Sequence, residues 1–354
     1  VPSLPGIIAF ALARLTGASI LTGILAARIL ALASYLLLTA LAIRLLPFGK
    51  HLLAAYALLP TLLFQATRLT YDTLTIAAAF VFLAALLREW QNPGQPLTLR
   101  RLALLTGSAI LLTSVKSVYV PLVAAAWWQP AGKFVNRRRR LLFLLFWTFL
   151  ILLILSFAIL PGLIHPEPGG DSRVSGTSVA GQLAFILNNR GLAIRIIGSG
   201  LSQTLGTNLL GAPALLSYAY AGTITQANPA LLVVLLLTFL SLLDAPIRRQ
   251  PDGSETSCAL NIEQSLFLAL LALLSLVLVW LALYLSFNPV GALTVDGVQP
   301  RYYFPVALPL LLLLRRSAWR QSLSEAAWQR LALLPISLIN LYGLYQHFFL
   351  PFFR

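Results

Sequence analysis

The sequence predicts an all-α bundle of membrane-spanning helices, and three observations carry that prediction. Hydrophobic residues make up 59% of the 354 and charged residues only 10%, whereas soluble chains carry about 25% charge. Mean hydropathy is +0.86. Apolar runs recur about ten times along the chain, many close to the roughly 20 residues that a hydrocarbon core of about 30 Å demands.

In order, the predicted spans are 21–46, 51–68, 73–89, 99–116, 118–131, 141–161, 230–246, 264–287, 301–315 and 330–349. Before them, residues 1–17 hold Ile7, Ile8, Ala11, Leu12 and Leu15 near one helical face with Arg14 nearby, the pattern of a short interfacial helix. Residues 162–228 differ in composition, being rich in Gly, Ser, Thr and Asn. They read as a loop insertion with two amphipathic helices, Val179 to Leu187 and Leu192 to Leu205, separated at Asn188, Asn189 and Gly191. The whole chain, 1–354, reads as one transmembrane domain.

Four consecutive arginines, Arg137 to Arg140, orient the bundle, because cytoplasmic loops concentrate Lys and Arg. With that cluster in the cytoplasm, Arg44, Lys50, Arg88, Arg100, Arg101, Lys133, Arg248 and Arg249 join it, as do Arg315, Arg316, Arg320 and Arg330. The count is 16 of the 25 basic residues on that side and 9 on the other. The net charge of +15 therefore reflects membrane orientation rather than nucleic-acid binding, since the bases sit at helix ends and short loops. The same topology starts outside at Val1, which implies a preceding span and a first outer loop.

The single cysteine, Cys258, excludes an intramolecular disulfide. His51, His165 and His347 are too scattered for a histidine metal cage. Asp244, Asp252, Glu255 and Glu263 lie near the cytoplasmic side, where they are expected to balance Arg248 and Arg249. Asn228-Pro229-Ala230 and Asn288-Pro289-Val290 resemble channel motifs, but both fall on one side, and that architecture needs half-helices from opposite faces. GxxxxGK, HExxH and GxSxG patterns do not occur.

What remains for chemistry gathers on the exoplasmic side. Asp72 sits in a short turn, where a carboxylate can serve as a base, bind a metal, orient a sugar hydroxyl or cap the following helix. Arg28 lies 16 residues before Arg44, about 24 Å of helix, which places it at the outer boundary. Lys116 falls at the same level counted from Arg101. Both can meet a lipid phosphate there or snorkel to headgroups. Arg301 with Tyr302 suits a phosphate or sugar, by bidentate bonding and stacking, or forms an interfacial anchor. Asp171 and Arg173 stand in a Gly-rich stretch that also reads as solvated surface, and Asp296 precedes the Arg301 segment.

The strings Ala27-Arg28, Pro47-Phe48-Gly49-Lys50, Ala57-Leu58-Leu59-Pro60, Tyr71-Asp72, Val115-Lys116, Tyr119-Val120-Pro121-Leu122 and Gly297 through Pro305 together resemble a bacterial family of multipass membrane proteins. That family is known as domain of unknown function twenty-one forty-two, and the resemblance covers nearly the whole chain. It is grouped by similarity with GT-C glycosyltransferases, which transfer a sugar from a polyprenyl-phosphate carrier on the exoplasmic side. The resemblance implies a GT-C-like bundle in the bacterial cytoplasmic (inner) membrane, acting on an envelope glycan or lipid acceptor. Its implied partners are membrane lipids, the lipid-linked sugar donor and that acceptor, with no nucleic acid.

On this reading Asp72, Asp296 and Asp171 are the candidate catalytic carboxylates. Arg28, Lys116, Tyr119, Arg301 and Tyr302 are the candidates for holding the carrier phosphate or sugar, and Mg2+ or Mn2+ at Asp72 is an optional cofactor. The chain departs from the family in two places. The Pro-Asp-Glu and His signature of the first outer loop is missing, and Gln299-Pro300-Arg301 stands where Gln-Gly-Arg is expected. A transporter or flippase for an anionic or lipid-linked substrate is the alternative, as is an inactive scaffold. The apolar interiors of Leu141 to Leu160 and Leu266 to Leu285 speak against transport, which needs polar groups through the bilayer.

Overall fold

A computed structural model of the protein describes residues 3–164, 173–205, 230–244, 247–249, 255–257, 260–314, 324–345 and 349. Four of its helices are long and apolar enough to cross a membrane: α2 (Ile20–Leu45), α5 (Asp72–Gln91), α8 (Arg137–Ile164, apolar through Leu160) and α12 (Ile262–Ser286). Shorter apolar helices surround them, among them α1 (Leu4–Leu15), α9 (Val179–Asn188), α11 (Ala230–Leu243) and α13 (Phe304–Leu313). The remaining helices are α3 (Lys50–Ala57), α4 (Pro60–Ala66), α6 (Leu99–Thr113), α7 (Val120–Ala124), α10 (Arg190–Leu205) and α14 (Glu325–Leu344). A two-stranded antiparallel ribbon, Ile247–Arg249 with Glu255–Ser257, follows α11.

The axis of the bundle is α5, 94% of whose apolar window is buried. At 1.5 Å per residue its 20 residues extend about 30 Å, the thickness of a hydrocarbon core. Helix α2 packs against it and against α1. Its buried side is a stripe at helical spacing, Gly23, Ala27, Ala31, Tyr35 and Thr39, small enough over most of its length for backbones to approach closely. The opposite side exposes Leu21, Leu25, Ile29 and Leu37. Helix α8 is likewise studded with exposed Leu141, Leu145, Phe149, Leu152 and Phe157. In water such faces would be an aggregation hazard; against lipid tails they are the expected surface.

Two predicted spans are broken. Residues 51–68 form α3 and α4, separated at Leu58 and Leu59 by Pro60, which opens α4 at its first position and cannot donate to a continuing helix. Backbone carbonyls freed at membrane depth must find donors. Here Tyr35 donates its hydroxyl to the Ala57 carbonyl (2.8 Å) and Asn340 its amide to that of Leu58 (2.8 Å). Residues 118–131 form α7 between two single turns, Ser117–Tyr119 and Ala125–Trp127. The Trp147 indole donates to the Val123 carbonyl there (2.9 Å).

Asp244, expected to balance Arg248 and Arg249, instead anchors α3. Its carboxylate accepts from the Leu52 amide (2.8 Å) and meets His51 Nδ1 (2.8 Å), while His51 Nε2 faces Glu325 (3.1 Å). The imidazole thus ties together the ends of α3, α11 and α14.

Candidate functional site

Asp72 begins α5 and its carboxylate does not cap the helix; no side-chain cap bond is made there. It lies instead between two cations. Lys116 Nζ donates to Oδ1, and Arg301 Nε stands 3.2 Å from Oδ2. Only 3% of the Asp72 side chain is exposed, against 12% for Lys116 and 17% for Arg301.

Each partner is delivered by a distinct local device. Helix α6 ends at Thr113, and the following residues turn Lys116 back toward the start of α5 before the turn at Ser117–Tyr119. Arg301 sits in a turn, Pro300–Tyr302, whose first position is the proline that replaces the expected glycine. Proline suits that place because its amide would have no partner there. Three groups pin this turn and the helix after it. Tyr119 donates to the Tyr302 carbonyl (2.9 Å), Tyr56 donates to the Phe304 carbonyl (3.1 Å), and the Trp280 indole donates to the Tyr303 hydroxyl (3.0 Å). Upstream, Gly297 has φ +86 and the Phe287 ring 2.5 Å from where a Cβ would stand, so only glycine fits.

Aromatic rings complete the surroundings. Lys116 Nζ lies 4.1 Å from the Tyr302 ring centroid and 5.2 Å from that of Tyr71, and the Arg301 guanidinium is 5.3 Å from Tyr302. These are cation–π contacts. Arg301 also reaches the Tyr302 hydroxyl at 3.4 Å. The Tyr71 phenol, in the turn outside the helices, is raised above the ordinary tyrosine range by burial and by Asp72, against the opposing charges of Arg301 and Arg173.

An ammonium has three donors. Among the described residues Asp72 is the one hydrogen-bond acceptor of Lys116; its other close neighbours are ring faces. Lys116 therefore keeps donor capacity for an oxygen-rich anion, beside a second cation, Arg301. A divalent metal does not fit, because both Asp72 oxygens already face cations that would repel it. A cavity of about 400 Å³ adjoins the same turn, between α1 and α5, lined by Ile7, Phe10, Ala31, Arg68, Thr70 and Thr73 among others.

Of the residues expected at the site, Asp72, Lys116, Arg301 and Tyr302 come together. Tyr119 is fully buried and reaches the cluster through the Tyr302 backbone. Arg28 is exposed on α2, with no ion pair among the described residues. Asp296 is exposed as well. Buried Asn288 holds its backbone, accepting from the Asp296 amide (2.8 Å) and donating to its carbonyl (3.3 Å). Asp171 lies outside the described residues. Sequence reasoning passes over Tyr71 as a site residue and treats Arg173 as surface; the placement of Tyr71 directly before Asp72 is the signal for the first, and nothing local signals the second.

A helical bundle with several spans long enough for a bilayer, and a charged cluster at one end of its buried axis, defines a multipass membrane protein. The sequence matches the family described as a predicted membrane protein, DUF2142, over residues 3–310, and the chain belongs to that family. No curated protein and no solved structure matches it.

Proposed function

We propose that the Asp72, Lys116 and Arg301 cluster is the phosphate-binding end of a GT-C-like membrane glycosyltransferase. It would move a sugar from a polyprenyl-phosphate carrier to an envelope glycan or lipid acceptor on the exoplasmic face. The observation that carries this reading is the donor balance at Lys116: among the described residues its ammonium meets one carboxylate oxygen and two ring faces, which leaves donors over beside a second partly buried cation, Arg301.

In the proposed reaction an acceptor hydroxyl attacks the anomeric carbon and the bond from that carbon to the phosphate oxygen breaks. The hydroxyl proton passes to a base, and the departing lipid phosphate gains negative charge. Lys116 and Arg301 stabilise that charge, and they do so most effectively in a site poor in water. Asp72, clamped and 3% exposed, suits the role of orienting the two cations better than that of meeting the acceptor. Between Asp72 and Arg88, α5 contains no ionisable residue, which favours chemistry at one face over passage through the bundle.

The test is turnover by the purified protein of a polyprenyl-phosphate-sugar mixture, with Asp72→Asn and Arg301→Gln beside it. Sugar release by the unaltered protein that falls at least a hundredfold in both variants supports the reading. Absence of release, with the same lipid crossing liposome membranes, replaces it with the flippase.

A further inference from the structure

A second cationic cavity, of about 770 Å³, lies at the other end of α5, the end that carries the arginines. Arg88, Arg100, Arg101 and Thr98 form its polar wall, and Leu41, Leu45 and Leu104 its apolar one. It is built where α2 and α5 end and α6 begins.

Its three guanidiniums are not equally engaged. Arg101 donates to the Gln95 side chain (2.7 Å) and the Pro96 carbonyl (3.4 Å), and stands 3.9 Å from Glu89. Glu89 is already taken by Lys133 at 2.5 Å. The Arg88 and Arg100 guanidiniums have no hydrogen bond or ion pair among the described residues, and Arg88 is partly buried. Among the described residues no acidic one lines the cavity. A partly enclosed space in which two of three guanidiniums have no counter-charge among the described residues calls for an anion, and guanidinium forks match phosphate oxygens.

The leucine wall narrows the choice of anion. Leu41 lies one turn in from the end of α2 at Leu45, and Leu104 one turn in from Arg100 at the start of α6, so the apolar wall runs from the helix ends toward the helix interiors while the arginines stay at the ends. Mobile phosphate would gain nothing from that wall; a phospholipid would use both. The excess of Lys and Arg at this end also assigns it to the cytoplasmic leaflet, where anionic lipids are attracted to basic pockets between helices. We infer that this cavity is a binding site for an anionic phospholipid, its phosphate held by Arg88 and Arg100 and its acyl chains laid along Leu41, Leu45 and Leu104. The inference does not depend on the activity proposed for the opposite end.

Native mass spectrometry of the purified full chain tests this, with phosphatidylglycerol, phosphatidylcholine and inorganic phosphate as probes. Phosphatidylglycerol should be retained about tenfold better than phosphatidylcholine. The Arg88→Gln, Arg100→Gln double variant should remove that preference, and the exposed Arg100→Gln alone, which threatens no packing, should weaken it several-fold. An Arg137→Gln, Arg138→Gln variant, with the same charge lost elsewhere on that face, should keep it. Equal retention of the two lipids, or equal loss in the Arg137 and Arg138 variant, would overturn the site in favour of diffuse attraction. Displacement of the lipid by millimolar phosphate would make it a small-anion site instead.

Discussion

The two ends of α5 carry the same arrangement of charges and differ in what surrounds it. At one end Asp72 lies between Lys116 and Arg301; at the other Glu89 lies between Lys133 and Arg101. Each lysine stands 44 residues beyond its carboxylate. Lys133 is wholly enclosed, and its three donors meet three oxygens: Glu89 Oε2, the Asn92 carbonyl (2.9 Å) and the Gln95 carbonyl (3.3 Å). Lys116 meets one carboxylate and two tyrosine faces. A saturated lysine fastens a loop; an unsaturated one is available to a ligand. A buried ion pair becomes evidence of a site only when a donor of the pair is left without an acceptor.

The largest effect is expected at the closed end. Lys133→Met should cost about 3–5 kcal/mol, because it strips Glu89 of its close partner and leaves two carbonyls without a donor. Thermal unfolding in detergent reads this directly, and a variant as stable as the parent would remove the structural role assigned to Lys133. At the open end, Lys116→Gln leaves Arg301 to compensate Asp72. Turnover should fall about a hundredfold while the melting temperature shifts less than for Lys133→Met; the reverse ranking would exchange the roles of the two lysines.

Smaller effects sharpen how the open end is held. Gly297→Ala forces a Cβ into the Phe287 ring at positive φ, and should destabilise by about 1–3 kcal/mol, measured as denaturant midpoint. Tyr119→Phe removes a single hydrogen bond to the Tyr302 carbonyl. It should cost about 1 kcal/mol and a few-fold in turnover, with the fold intact by circular dichroism.

The membrane character and long helices are legible in the sequence because length and hydropathy are local properties. The break between α3 and α4 is not read as one, although Pro60 is in plain view, because prolines also occur within spans and the donors that satisfy the break, Tyr35 and Asn340, lie on other helices. At the site, the residue types of Asp72, Lys116 and Arg301 are legible, since charges at a membrane boundary are few. Their mutual contact is not, because no periodicity links a turn before α5 to turns after α6 and before α13. Arg28 shows the limit of depth arithmetic: helix rise sets its level in the bilayer but not the side of α2 it faces, which is the exposed one. Asp244 is close to Arg248 and Arg249 in sequence, but the fold sets it against His51 and Leu52.

The break between α3 and α4 also bears on how the chain is made. The donor that satisfies the Leu58 carbonyl, Asn340, is 282 residues further along. At translation rates of about 5–20 residues per second, that donor is made roughly fifteen seconds to a minute after the acceptor. Until then the carbonyl must be served by water or by the insertion machinery. The broken segment of α3 and α4 is therefore a late-maturing part of the bundle, completed only when the last described helix docks.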